Sequence, residues 1–231
     1  MTQVYPHPDL PQSASLNILI IDDHQLILNG TYSLLQQEYP TADIVKVKTA
    51  IAALKEIASC RFDLIVMDLS IPEQAGVIAQ IDTGISLLQK LLRQYSQSNF
   101  LVQSSYVKAL IRIKHEIDEH QGGFAIVDKE LSESEIITRV KIALQGGTHT
   151  KDIKSGWEFK PEWLDVLRLA FEEGLTDRLI AERMYKSERA VRTYWTKIQD
   201  VLGIYPEDCK KAGQNMRIQT EIRARQAGLI D

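Results

Sequence analysis

Between Leu16 and Gly147 the chain repeats one alternation: short, continuously apolar runs followed by longer stretches of helical spacing. Leu16–Ile21 reads LNILII and stops at Asp22-Asp23, and Phe62–Met67 reads FDLIVM and stops at Asp68. A run that is apolar at nearly every residue suits a strand buried on both faces. Ala42–Val47, Phe100–Ser104 and Phe124–Val127 add weaker runs, which makes five strands. Helical spacing fills the intervals, through Leu26, Ile27, Gly30, Leu34 and Leu35, then Ala50–Ala58, Ile85–Tyr95, Val107–His120 and Ser134–Gln145, the last capped by Ser132 or Ser134. Strands and helices in this order predict parallel pairing through right-handed crossovers, hence an α/β fold with an open, doubly wound, five-stranded parallel sheet.

The pattern changes after Gly146-Gly147. Residues 148–158 read as a linker, and from Pro161 on the spacing is helical throughout: Glu162–Glu173, Thr176–Met184, Glu188–Leu202 and a last helix within Pro206–Ala227. The expected organisation is a mobile, Pro/Gln/Ser-rich tail over 1–15, an α/β domain over 16–147, the linker, and a small all-α domain over 159–231. Charge follows this division. The first 154 residues carry 14 Lys/Arg against 18 Asp/Glu, whereas Arg178 to Arg225 carries 11 against 6. An acidic front and a basic back point to two jobs, the second suited to a polyanion. Nothing approaches the ~20 apolar residues of a membrane span, and no basic-then-apolar leader opens the chain. The two cysteines, Cys60 and Cys209, have no metal-site spacing, so a reduced, cytoplasmic setting is expected.

Chemistry in a doubly wound sheet is expected beyond the carboxyl ends of the strands, where strand order reverses. With strands ordered 2-1-3-4-5, Asp22-Asp23 and Asp68 end neighbouring strands, so three carboxylates converge. Their repulsion calls for a cation, and magnesium suits oxygen ligands while keeping positions open to a phosphate. One carboxylate can then accept a phosphoryl group as an acyl phosphate, given a hydroxyl donor and a cation to steady the charge. Ser104, ending the fourth strand, and Lys129, following the fifth, are placed to supply them.

Asp22-Asp23, the Asp68 to Pro72 turn (DLSIP), Ser104 and Lys129 resemble the receiver domain of two-component response regulators, a flavodoxin-like fold, over roughly Leu16 to Gly147. The resemblance implies that Asp68 is the phosphoacceptor. It implies that Asp23, Asp68 and the Ser70 carbonyl hold magnesium, with Asp22 acting through water. Ser104 would be the switching hydroxyl and Lys129 the phosphoryl-binding cation. Three departures stand out. Ile126 occupies the position three before the lysine where the family has an aromatic residue, leaving Phe124 or Tyr106 to take that part. Asp128 directly precedes Lys129, and Glu73–Thr83 lengthens the loop beside the pocket.

Asp165–Ile204 is similar to the LuxR-type helix-turn-helix of the NarL/FixJ class of response regulators. The matching residues are Glu173-Gly174-Leu175, Ile180-Ala181, Ser187-Glu188, Val191 and Leu202-Gly203-Ile204. Val191, Ile198 and Leu202 make the buried stripe of the recognition helix. The resemblance makes Arg192, Thr193 and Thr196 candidates for base contact, and Arg189 and Lys197 candidates for phosphate contact. Trp163, Leu179, Ala190 and Tyr194 depart from the family pattern. The chain also continues past the family's usual end, where Ile218 and Ile222 with Arg217, Arg223 and Arg225 suggest an added amphipathic helix.

The expected function is transcriptional regulation, not enzymatic turnover: a DNA-binding homodimer switched by magnesium-dependent phosphorylation from a sensor histidine kinase or a small phosphodonor. A phosphorylation-independent regulator or protein-interaction adaptor is the alternative. A magnesium phosphohydrolase is a further rival, but haloacid-dehalogenase enzymes carry Asp-x-Asp on one strand, and Asp22 and Asp23 are adjacent.

Overall fold

The computed structural model describes residues 15–150 and 159–230. The expected tail, except Ser15, and most of the expected linker lie outside them. Strands β1 (Asn17–Ile21), β2 (Asp43–Val47), β3 (Leu64–Met67), β4 (Asn99–Gln103), β5 (Phe124–Val127) and β6 (Thr148–His149) form one parallel sheet ordered β2-β1-β3-β4-β5-β6. Between them run α1 (Gln25–Glu38), α2 (Ala50–Ser59), α3 (Ile81–Gln94), a 3-10 helix (Val107–Ile113) leading into α4 (Lys114–Glu119), and α5 (Glu133–Leu144).

Alternate strand residues divide cleanly between the two faces. Leu19, Ile21, Ile65, Met67, Phe100, Val102, Phe124 and Ile126 pack under α2, α3 and α4. Ile18, Ile20, Leu64, Val66, Leu101, Ala125 and Val127 pack under α1 and α5. A period of two with both faces covered is why these runs are uniformly apolar. Close approach is built in by glycine. A Cβ on Gly84 would stand 2.0 Å from the Leu69 carbonyl oxygen, so the first turn of α3 lies directly on the segment following Asp68.

The sheet has six strands where the sequence predicts five. β6 is a two-residue edge strand, too short to show any period, and it falls in the stretch read as linker. Helix α3 begins at Ile81, four residues before its apolar stripe is legible, so the long loop ends at Gln80. The helix expected over Val107–His120 is split. Val107, Leu110 and Ile113 are buried at intervals of three, the spacing a 3-10 turn gives.

The C-terminal region is all helical: α6 (Pro161–Phe171), α7 (Asp177–Arg183), α8 (Glu188–Val201), α9 (Pro206–Lys211) and α10 (Met216–Gln226). It closes a core of its own around Val166, Leu167, Ile180, Val191, Ile198, Leu229 and Ile230. The last expected helix is two, broken at Gly213, whose φ is +64°, and restarted by Asn215, which accepts from the backbone N–H groups of Arg217 and Ile218. α10 turns Thr220 and Ala224 inward and leaves Ile218 and Ile222 exposed, so the apolar pair read from the sequence is not its buried side.

Candidate functional site

Three strand ends place the acidic residues. The backbone N–H of Asp22 donates to the Val47 carbonyl, that of Asp68 to Ile21, and that of Ser104 to Val127, continuing each ladder one residue past its strand. Side chains at these positions are therefore held at the carboxyl edge of the sheet. Asp22, Asp68 and Ser104 are all buried.

The two oxygens of Asp68 have different surroundings. Oδ1 accepts from the N–H of Leu69 at 2.6 Å, from that of Ser70 at 3.3 Å and from Ser104 Oγ at 2.7 Å. Oδ2 accepts from Lys129 Nζ at 2.7 Å, and the same ammonium lies 2.7 Å from Asp22 Oδ2. Burial raises the pKa of Asp22, an effect that the ammonium partly offsets. Burial would by itself lower Lys129, yet its bonds to Asp22 and Asp68 raise it, so the lysine is held charged. The Lys129 ammonium bonds to Asp22 and Asp68, while Asp128 Oδ1 accepts from the N–H of Glu130.

Carboxylate oxygens of Asp22, Asp23 and Asp68 and a ring nitrogen of His24 lie within 4.8 Å of one another. Asp23 Oδ1 is buried and accepts no hydrogen bond, although the His24 Nδ1 stands 2.8 Å from it. A buried carboxylate oxygen left without a donor fits a cation ligand, and the hard oxygen set fits magnesium. The sequence reading missed His24. It directly follows the acid pair in sequence and occupies the N-cap position of α1 without a side-chain cap hydrogen bond.

The positions flagged as departures resolve into packing. Ile126 is fully buried, and Phe124 faces the same core next to His120. Tyr106 is the aromatic residue nearest the hydroxyl in sequence, with its N–H donating to Ser104 Oγ at 3.2 Å. The long loop is closed by an antiparallel bridge between Ile71 and Gln80 and tied to the start of α2 by Ala50 and Ile51 N–H groups donating to the carbonyls of Pro72 and Glu73. Its Val77 and Ile78 side chains are exposed.

In the helical region, α7 and α8 form a helix-turn-helix. Ser187 caps α8 by accepting from the Ala190 N–H, and Val191, Trp195 and Ile198 are its buried stripe. Arg189, Arg192, Thr193, Thr196 and Lys197 all lie on its exposed side. Arg192 pairs with Glu188 one turn back, and Thr193 and Thr196 donate to carbonyls one turn back, so these groups are arrayed along the outer surface of the helix. Trp163 and Tyr194 join the helical core, Trp163 edge-on to Phe159, so these two departures are repacking. Nothing in the structure explains Leu179. A clamp absent from the sequence reading braces α8 from behind. The Trp195 indole N–H donates to Asp177, and the Arg217 guanidinium lies 3.5 Å above the Trp195 ring while pairing with the same aspartate.

A sequence profile of the response regulator receiver domain matches residues 18–141. The DNA-binding transcriptional activator DevR/DosR of Mycobacterium tuberculosis is 25% identical over 205 residues, covering 82% of this chain and 89% of that protein. The transcriptional regulatory protein DegU of Brevibacillus brevis is 24% identical over 220 residues, covering 82% and 88%. The fold is similar to that of the response regulator RcsB in complex with DNA, with a TM-score of 0.60 at 18% identity over 92% of this chain and 99% of that one. RcsB of Salmonella enterica serovar Typhimurium bound to a promoter in the presence of a phosphomimetic gives a TM-score of 0.52 at 21% identity, over 86% of this chain and 98% of that one.

Proposed function

The chain belongs to the response regulator receiver family, and from that membership we propose a transcriptional regulator switched by phosphorylation of Asp68 and reading duplex DNA through α8. Residues 16–147 act as the receiver, 148–158 as the linker and 159–231 as the DNA-binding domain. The observation that carries this reading is the asymmetry of Asp68. Oδ1 is fixed by three donors, whereas Oδ2 has, among the described residues, one lysine as its partner.

Oδ2 is accordingly the attacking atom. It forms a bond to phosphorus as the bond from phosphorus to the donor's leaving atom breaks. The leaving group departs with that electron pair, as acetate from acetyl phosphate or as imidazole from a phosphohistidine. Lys129, held charged by its bonds to Asp22 and Asp68, moves its ion pair from the Asp68 carboxylate to a phosphoryl oxygen. Ser104 Oγ already donates to Asp68. Its switch is thus a transfer of one hydrogen bond from carboxylate to phosphoryl oxygen, not an inward swing from a distant rotamer. Asp23, Asp68 and the Ser70 carbonyl would hold magnesium, with Asp22 acting through water, and the ion would neutralise charge on the phosphoryl oxygens.

A sensor histidine kinase or a small phosphodonor is the source, the setting is cytoplasmic, and a homodimer presents two copies of α8 to paired half-sites. Arg192, Thr193 and Thr196 reach base edges while Arg189 and Lys197 meet phosphates. The test is intact mass after acetyl phosphate and magnesium. Wild type gains one phosphoryl group, and Asp68→Asn gains none. Because Ser104 is engaged before any modification, a regulator or adaptor independent of phosphorylation is the second reading. Wild type that gains no mass would establish it over the first.

A further inference from the structure

The C-terminal extension reaches the recognition helix from behind. Gly213 breaks the chain after α9, and Asn215 restarts it with its Oδ1 accepting from the Arg217 N–H at 2.8 Å, which pins Arg217 in the first turn of α10. The Arg217 guanidinium carbon lies 3.5 Å from the centre of the Trp195 ring. One of its terminal nitrogens stands 3.1 and 3.4 Å from the two carboxylate oxygens of Asp177. The Trp195 indole N–H donates to the same Asp177 Oδ1 at 3.0 Å, and its ring meets Phe171 of α6 edge-on at 5.6 Å. A single side chain of α8 is thus held by α6, α7 and α10 together. One turn further along α8, Gln199 donates to the Oγ1 of Thr220, itself one turn further along α10, at 3.4 Å. Residues three or four apart share a helix face, so two such contacts fix both the roll and the tilt of α8, where one would leave a pivot.

Trp195 is buried, yet it directly precedes the exposed Thr196 and lies one turn after the exposed Arg192. Roll matters at such positions. Side-chain tips stand about 5–6 Å from a helix axis, so a roll of about 10° displaces them by about 1 Å, enough to spoil a directional hydrogen bond. Phosphate contacts position without reading sequence, and long cationic side chains absorb a shift of that size. We propose that Arg217 is a positioning residue for base readout: by holding Trp195 and Asp177 it sets the roll of α8, so the extension governs sequence discrimination without touching a base. The proposal rests on the reading above that α8 faces duplex DNA. Arginine suits the part, because its planar cation stacks on the indole and pairs with the carboxylate at once, whereas lysine must give up one of the two. The ion pair alone contributes little, since the Arg217 and Asp177 side chains are 39% and 29% exposed. Its worth is in the geometry that the three groups hold together.

Arg225 supplies the control. It sits on the same helix and pairs with Glu221 one turn back, so Arg225→Gln removes the same charge and leaves the Trp195 seat intact. The full chain is titrated by fluorescence anisotropy with a duplex selected from a random pool and with a random duplex. Arg217→Gln and Arg217→Lys should each lower the ratio of the two affinities by about tenfold, the worth of roughly one base contact. Arg225→Gln should keep the wild-type ratio, and Arg217→Gln should bind the random duplex as well as Arg225→Gln does. Without DNA, the proton resonance of the Trp195 indole N–H, identified by its absence in Trp195→Phe, should shift and exchange faster with water in Arg217→Gln but not in Arg225→Gln. Wild-type discrimination in both Arg217 variants, or an indole signal that does not move, would overturn the positioning role while leaving DNA reading in place. So would equal weakening of both duplexes by Arg217→Gln beyond the control, which would make Arg217 a phosphate contact. If wild type itself does not tell the two duplexes apart, the reading of α8 as the base-reading helix falls first, and the role of Arg217 falls with it.

Discussion

His120 shows how much a single residue's surroundings decide. Its Nε2 stands 2.8 Å from the Ser98 carbonyl, its Nδ1 is buried without a hydrogen bond, and its ring meets Phe100 edge-on. Burial holds the imidazole below its usual pKa, and the Ser98 bond offsets only part of that. The neutral form with the proton on Nε2 is thus the native one. In the unfolded chain the same ring takes its proton near pH ~6.5. Below that pH the unfolded state binds more protons than the native state, so stability is complete above it and falls as the pH drops toward the folded pKa. Melting temperatures between about pH 7.5 and pH 5.5 should therefore fall more steeply for wild type than for His120→Leu. Equal slopes would place the acid sensitivity in other groups. The positions of Asp22, Asp68 and Ser104 were legible because each directly follows a strand, a place apolar periodicity marks. His120 and the Trp195–Asp177–Arg217 clamp were not, because their partners are 18 to 40 residues away in sequence and lie on no shared period.

At the scale of elements, the turn between α7 and α8 carries a cost the sequence does not announce. Tyr185 has φ 53° and is almost fully exposed, the one described non-glycine residue with positive φ. A side chain in this region costs roughly 1–2 kcal/mol, which asparagine largely avoids through local hydrogen bonding. No packing of the tyrosyl ring offsets that cost, so Tyr185→Asn should raise the unfolding free energy by about 0.5–1 kcal/mol by denaturant titration. A neutral or destabilising result would mean the ring has a partner in solution. Sequence periodicity located α6 and α8 to within two residues, because each has a wide apolar stripe. It missed the start of α3, where Asp82 and Thr83 hide the period, and it missed β6, whose pairing rests on backbone hydrogen bonds to β5. It marked Ile218 and Ile222 as the apolar side of α10 without showing which side is buried. The Ile218 and Ile222 pair is the more apolar choice, yet the inward side takes Thr220, which donates to the Met216 carbonyl and is reached by Gln199.

At the scale of the whole molecule, neither sequence pattern nor net charge speaks to how the two cores meet, because that contact is Arg112 reaching the Gly228 carbonyl with Ile111 beside it. Net charge, at −4, even argues against a nucleic-acid partner if taken as a total. Distribution decides, since a polyanion responds to the local surface and screening confines the acidic half's influence to about 8–10 Å at physiological salt. If Arg189 and Lys197 meet phosphates, binding to a duplex must release counterions, and the logarithm of affinity must fall linearly with the logarithm of salt. Replacing either residue with alanine should flatten that slope by about one per protomer and weaken binding to unrelated sequences equally. Arg192→Ala should instead reduce discrimination between a selected site and a random duplex, by about 1–3 kcal/mol, leaving the slope nearly unchanged once its surface pair with Glu188 is lost. Fluorescence anisotropy over a series of salt concentrations separates the two effects. If all three variants change the slope alike, α8 binds by charge without reading bases. If no variant changes it, α8 is not the DNA-facing helix, and the adaptor reading gains the ground that the regulator loses.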